Sequence, residues 1–373
     1  MCVSVCKDCY LYKRDATAVI TKLSATMTAD HANNRDSYVD TARGIFCILL
    51  VLYHVVVFDA PEGLNLKGTS IWHVIVDALI YVRMPLFAFV SGYVYGGRPI
   101  LSGGKQFVLG KMRRLLLPML VANTGFVLIL VHGVHGKVWN WNDLLLIVSP
   151  YYNYWFLEAL FIIFVVTLVL EKLGLLANGF KFLIVWAGSI AAQRWIIVPG
   201  IFNFNLNGAI YIFPYFLCGL ACIRFRIKGN YFFISALAVF VSIMLLVVAG
   251  LLGYFHVAGR ISTMSLLLGI SGAYLVVVEL EWRNEVLMSI GRSSYAIFLY
   301  HMFFTSATWF LAYSFHVHGI NTLVVMLTTG GIIGPLLAEK IIRRFAIART
   351  VLLGERWTAS SSDKRSASAV ALG

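Results

Sequence analysis

Ten stretches of apolar residues, each close to the length that crosses a bilayer, follow one another between residues 41 and 340. A hydrocarbon core about 30 Å thick is spanned by about 20 residues of α-helix. In that medium every backbone N–H and C=O has to be satisfied within the protein, which a helix achieves segment by segment. The stretches lie at about 41 to 59, 72 to 95, 115 to 132, 152 to 171, 180 to 197, 207 to 223, 231 to 253, 262 to 280, 294 to 313 and 319 to 340. Of the 373 residues, 60% are hydrophobic and only 13% are charged, outside the range of soluble globular chains. The expected fold class is therefore all-α: a polytopic integral membrane protein with about ten transmembrane helices.

The placement of charge orients these helices. A formal net charge of +13 would suit a nucleic-acid binder only as a basic face on a soluble domain, and no such face is visible. The basic residues lie instead in short connections, where they orient membrane proteins. One side collects Lys7, Lys13, Arg14, Lys22 and Arg35, then Arg98, Lys105, Lys111, Arg113 and Arg114, then Lys172 and Lys181. It continues with Arg224, Arg226, Lys228, Arg283, Arg292, Arg343, Arg344, Arg349 and Arg356, whereas the opposite connections offer Lys67, Lys137 and Arg260. Both termini are thus expected on the cytoplasmic side of a cell membrane crossed many times. Residues 1–35 lack apolar periodicity and read as a disordered cytoplasmic tail, residues 36–345 as the transmembrane domain, and residues 346–373 as a second cytoplasmic tail ending in a Ser- and Ala-rich run. The six cysteines, Cys2, Cys6 and Cys9 in the tail and Cys47, Cys218 and Cys222 in or beside apolar stretches, match neither a disulfide framework nor a zinc site. No metal is expected, and no Walker motif supports an ATP-driven process.

Within the first stretch, Arg43 and His54 are eleven steps apart, which on a helix is three turns plus about 20°. Both side chains therefore share a face, about 16 Å apart, with Asp40 one turn before Arg43. Counting from the cytoplasmic ends at 1.5 Å per residue places His54 about 16 Å deep, Arg83 about 18 Å, Glu158 about 20 Å and His301 about 12 Å. Ionisable groups at such depth are costly unless they face one another or a water-filled cavity, and function is the usual reason for keeping them. Plainer alternatives are packed, hydrogen-bonded core histidines and a structural Arg83–Glu158 ion pair. Lys111, Arg113 and Arg114 precede the third span in what reads as a basic loop, suited to anionic lipid headgroups or to the phosphates of a soluble cosubstrate. Trp72, Trp139, Trp141, Trp155 and Trp195 sit near the outer edges, as an aromatic belt would.

Several pieces recur in a fixed order: Tyr38-Val-Asp-Thr-Ala-Arg-Gly-Ile followed by Tyr53-His54, then Met84-Pro-Leu-Phe-Ala-Phe-Val-Ser-Gly-Tyr93 and Arg113-Arg-Leu-Leu-Leu-Pro118. Tyr154-Trp-Phe-Leu157 and Ile290-Gly-Arg-Ser-Ser-Tyr-Ala-Ile-Phe-Leu-Tyr-His301 complete the set. The ordered set resembles the membrane acyltransferase-3 family, within it the branch of fucose 4-O-acetylase-like and related glycan O-acetylases. The resemblance implies transfer of an acyl group, commonly acetyl from acetyl-CoA, to a hydroxyl of a sugar in a lipid-linked or secreted glycan. Acyl-CoA is then a cosubstrate, and no tightly bound cofactor is implied. The family's arginine and histidine correspond to Arg43 and His54, and its basic motif to Lys111, Arg113 and Arg114. Where the branch often carries histidine before Met-Pro, this chain carries Arg83, whose permanent charge limits it to an electrostatic or binding role.

Acyl transfer needs a base for the acceptor hydroxyl, a grip on the thioester and donors for the developing oxyanion. His54 suits the base, because imidazole titrates near neutrality. Arg43, fixed by Asp40, and the basic cluster suit coenzyme A phosphates. His301, Arg83 or Tyr295 would polarise the thioester carbonyl, and Glu158 and Trp155 are further candidate binding residues. Two alternatives stay open: an acyl-enzyme on Ser91, whose Ser91-Gly92 pair equally suits close helix packing, and a multi-span transporter or flippase of a glycan precursor.

Overall fold

The computed structural model of the protein describes residues 37–68, 70–97, 103–141, 154–199, 205–227, 229–251 and 263–357. The expected N-terminal tail and the Ser- and Ala-rich end lie outside these residues. Among them the secondary structure is helical throughout, with no strand. Among the described residues six helices are long and apolar enough to cross a membrane: α1 (Ser37–Val57), α2 (Ile71–Gly96), α3 (Gly104–Val134), α6 (Leu206–Arg224), α10 (Ser294–Ser314) and α11 (Ile320–Ile342). The other four expected spans coincide with α4 (Trp155–Lys172), α5 (Gly179–Trp195), α7 (Phe232–Leu251) and α8, which runs Thr263–Tyr274 and ends in a π turn, Leu275–Glu279. Among the described residues two further short helices follow, α9 (Glu285–Arg292) before α10 and α12 (Ala346–Leu353) after α11. The protein is a multi-pass membrane protein, and its surface agrees: Phe180, Leu183 and Ile184 on α5 are exposed, as are Phe233, Ile234, Leu237 and Phe240 on α7. An apolar belt of that extent needs lipid as solvent.

Contacts at the helix ends divide the bundle into a basic end and an opposite end. At the basic end Asp40 at the start of α1 reaches Arg292, Arg224 closing α6 pairs with Glu171 closing α4, and Tyr295 opening α10 reaches the backbone of α3 at Arg114. At the opposite end Trp72 opening α2 bonds Asn321 opening α11, and Glu62 after α1 bonds His135 just beyond α3. This alternation is the one the charge pattern anticipates.

Close crossings depend on glycine where two backbones meet. A Cβ on Gly92 of α2 would strike the carbonyl of Phe216, and one on Gly219 of α6 would strike that of Phe89. The same relation joins α1 to α9, Gly44 against the Leu287 carbonyl and Gly291 against that of Asp40. Small residues let membrane helices approach to this distance and gain dispersion contacts that lipid cannot replace. Pro85, Pro214 and Pro335 all lie inside continuous helices.

One expectation is corrected. The basic segment before the third span is no loop: α3 begins at Gly104, so Lys105, Lys111, Arg113 and Arg114 ride on its first turns. Gly104–Leu117 contains no proline to end a helix, and the first one after it, Pro118, is absorbed by a π turn at Met112–Leu116. Proline has no N–H and crowds the carbonyl four residues earlier, so the α ladder widens just ahead of it.

Candidate active site

Helix α1 presents one face to α9 and α10. Along it come Asp40, Thr41, Gly44 and Cys47, which meet Arg292, the Asn284 amide, Leu287 and the Ser294 carbonyl. His54 continues that stripe and meets His301 of α10, with His54 Nδ1 2.8 Å from His301 Nε2. Arg43 stands at the basic end of the same helix, its Nη1 3.0 Å from Asp40 Oδ1. Asp40 is also 3.7 Å from Arg292, so one carboxylate serves two guanidinium groups. The sequence spacing that put Arg43 and His54 on one face thus meets α9–α10 along its length.

The hydrogen bonds around the two imidazoles fix their protons. His301 Nδ1 lies 2.8 Å from the Ile297 carbonyl and 3.1 Å from that of Phe298. Carbonyl oxygens only accept, so Nδ1 of His301 carries the hydrogen. In the neutral ring Nε2 of His301 is then a bare acceptor, and the hydrogen in the bond to His54 belongs to His54 Nδ1. That leaves Nε2 of His54 with a free lone pair. Both rings are buried, His54 6% and His301 1% exposed, and they stack with centroids 4.8 Å apart. Phe58, one turn on from His54, meets the His54 ring edge-on at 4.8 Å.

Arg83 of α2 completes the group. Its guanidinium carbon stands 3.7 Å from the centre of the Tyr53 ring, and that ring meets the His54 ring edge-on with centroids 5.5 Å apart. A cation over an aromatic face is partly compensated for lost hydration. Three of the four mid-depth ionisable groups therefore converge. The fourth does not: Glu158, on the first turn of α4, accepts a short hydrogen bond from Asn205 at the head of α6. Tyr53 and Asn205 were not picked out from the sequence. Tyr53 adjoins His54 in the quoted motif, whereas nothing local marks Asn205.

The remaining candidates spread along the bundle. Lys111 lays its ammonium 3.4 Å from the centre of the Phe164 ring on α4. Arg113 lines an apolar groove of about 710 Å³ between α3 and α4, with Met112, Leu116, Leu120 and Phe161 on its walls and Glu158 farther along. His54 and Arg43 are not part of that lining. Arg114 is exposed, and Tyr295 donates its hydroxyl to the Arg114 carbonyl at 2.6 Å. Trp155 packs against Gly208 of α6. Ser91 donates to the Phe87 carbonyl one turn back at 2.8 Å, beside the Gly92 crossing. A buried Glu62, bonded through both carboxylate oxygens to His135 at 3.0 Å, is a further polar pair that sequence reading passed over.

A family model described as an acyltransferase domain matches residues 36–339, a range that holds α1 through most of α11 and all the residues above. The chain belongs to the acyltransferase domain family. It is similar to the nodulation protein NolL of Mesorhizobium japonicum (strain LMG 29417 / CECT 9101 / MAFF 303099), 29% identical over 190 residues. The alignment covers 50% of this chain and 48% of NolL, so about half the length of that relative is spanned. No solved structure matches the chain significantly. The acyltransferase family match ends just before Lys340 and leaves helix α12 outside it.

Proposed function

We propose that the protein is a membrane O-acyltransferase that moves an acyl group, acetyl first among them, from acyl-CoA to a hydroxyl of a sugar in a cell-surface or secreted glycan. Family membership supports the reaction class, and the free Nε2 lone pair of His54 supports the assignment of the base. In this reading the sugar hydroxyl gives its proton to His54 Nε2 as its oxygen attacks the thioester carbonyl. The imidazolium so formed keeps its Nδ1 hydrogen bond to His301, which acts as a positioning residue. Arg83 faces the negative charge that gathers on the carbonyl oxygen, where a preformed charge is worth most. Collapse of the tetrahedral species expels the coenzyme A thiolate, which takes the proton back from His54 Nε2. The ester, the free thiol and the neutral histidine balance the reaction.

Donor binding falls to the basic end. Arg43, held by Asp40, and the exposed Arg114 flank the turn between Arg292 and Tyr295, and arginine suits phosphate through its forked donors. The pantetheine arm then covers the roughly 16 Å along α1 from Arg43 to His54. Direct transfer is preferred over an acyl-enzyme because the Ser91 hydroxyl is engaged by its own helix. The test is a mass-spectrometric comparison of surface glycans from cells with and without the protein. The reading expects base-labile acyl esters that vanish with the protein; identical glycans would refute it.

A further inference from the structure

Pro118 leaves a gap in α3 that two distant parts of the chain fill. It has no N–H, so the Arg114 carbonyl, four residues earlier, lacks its α-helical donor. Tyr295 of α10 supplies one: its hydroxyl lies 2.6 Å from the Arg114 carbonyl and 3.4 Å from that of Leu115. Helix α12 holds the same turn. It ends on Gly354 in the left-handed region, φ +65°, with the amide bonded to the Thr350 carbonyl at 3.1 Å. A Cβ there would come within 2.6 Å of the Arg113 carbonyl and 2.7 Å of Arg114 Cα, so only glycine allows this approach. The helix is itself fastened. Leu353 is buried, Tyr300 donates to the Leu352 carbonyl at 2.9 Å, and Arg343 bridges Glu339 and Glu355 beside it.

We infer that Tyr295 and helix α12 with Gly354 are positioning elements for an anion grip made by Arg113 and Arg114, the site that takes the phosphates of the acyl-CoA donor. The π turn leaves the two arginines on a stretch of helix that its own backbone bonds do not fully define, and the contacts from α10 and α12 define it. With the turn fixed, Arg113 points into the groove against α4, where its Nε is buried without a hydrogen-bond partner, while Arg114 stays exposed. Helix α12 lies beyond the matched acyltransferase segment, so this chain's own C-terminal region would complete the donor site.

The inference rests on the acyl-CoA reading above, and the experiment separates the two. Purified full-length protein is assayed with acetyl-CoA and with acetyl-dephospho-CoA, comparing wild type with Tyr295→Phe, Gly354→Ala and Arg114→Ala. Wild type should prefer the donor with the extra phosphate, and Arg114→Ala should lose the preference. Tyr295→Phe and Gly354→Ala should each raise KM for acetyl-CoA about three- to tenfold, the size of one hydrogen bond, by more than they lower kcat, measured at a temperature below the unfolding midpoint of either variant. Each should also erode the phosphate preference, and Tyr295→Phe should add little on top of Arg114→Ala. Arginine sensitivity with no effect of either positioning variant on KM would overturn the inference alone. Indifference to Arg114→Ala and to the phosphate would overturn the donor site and the inference together.

Discussion

The chemistry turns on a few hydrogen atoms. In the proposed reaction His54 serves as the base through Nε2, the nitrogen left as an acceptor because His301 Nδ1 faces two carbonyls and can only donate. Replacing His54 with Ala removes the base, and kcat for acyl transfer should fall about 10²–10⁴-fold. His301→Ala should lower kcat less, and the double variant should be no slower than His54→Ala alone, since residues acting as a unit are not additive. Single-turnover rates on the three variants check this; a double variant much slower than His54→Ala would assign His301 a role of its own. Arg83→Met should lower kcat, whereas Arg83→Lys should restore part of it because the position supplies charge rather than a proton. At this scale the sequence carried His54 and Arg43 as a spacing and His301 as a depth. The direction of the imidazole bond was not legible, because it depends on the carbonyls of Ile297 and Phe298, which any residue types would provide.

Among the elements, the helices were legible and their seams were not. A run of apolar residues announces that a helix spans, but Gly92 and Gly219 meet carbonyls on partners more than a hundred residues away, which no local pattern encodes. Gly219→Ala should destabilise the α2–α6 crossing by about 1–3 kcal/mol through forced separation of the backbones. Thermal unfolding in detergent measures it, and an unchanged midpoint would mean that the crossing yields freely. The start of α3 was misread for a related reason. Gly104–Lys111 carries Gly104, Gly110 and two lysines and reads like a loop, and only the absence of proline before Pro118 argues for a helix. Glu158 was legible as a buried carboxyl, but its partner Asn205 sits in a connection whose position follows from packing α4 against α6.

For the molecule as a whole, the charge asymmetry and the end-to-end contacts describe one partition. Arg43, Arg114, Arg224 and Arg292 share the basic end, and His135 and Asn321 the other. If the basic end is cytoplasmic, a cysteine placed at the exposed Val138 should react with an impermeant thiol reagent on intact cells. One at the exposed Ile347 should react only after permeabilisation, with Cys2, Cys6 and Cys9 replaced by Ser in both; the reverse pattern would invert the topology. In the proposed function the donor is held at the basic end, and the paired imidazoles, deeper in the bundle, carry the transfer. The most direct test of that account is transfer of label from acetyl-CoA to a glycan acceptor by the purified protein in detergent, wild type beside His54→Ala of equal thermal stability. Label should reach the acceptor without a sealed membrane and should fail to do so with His54→Ala; equal transfer by both proteins would contradict it.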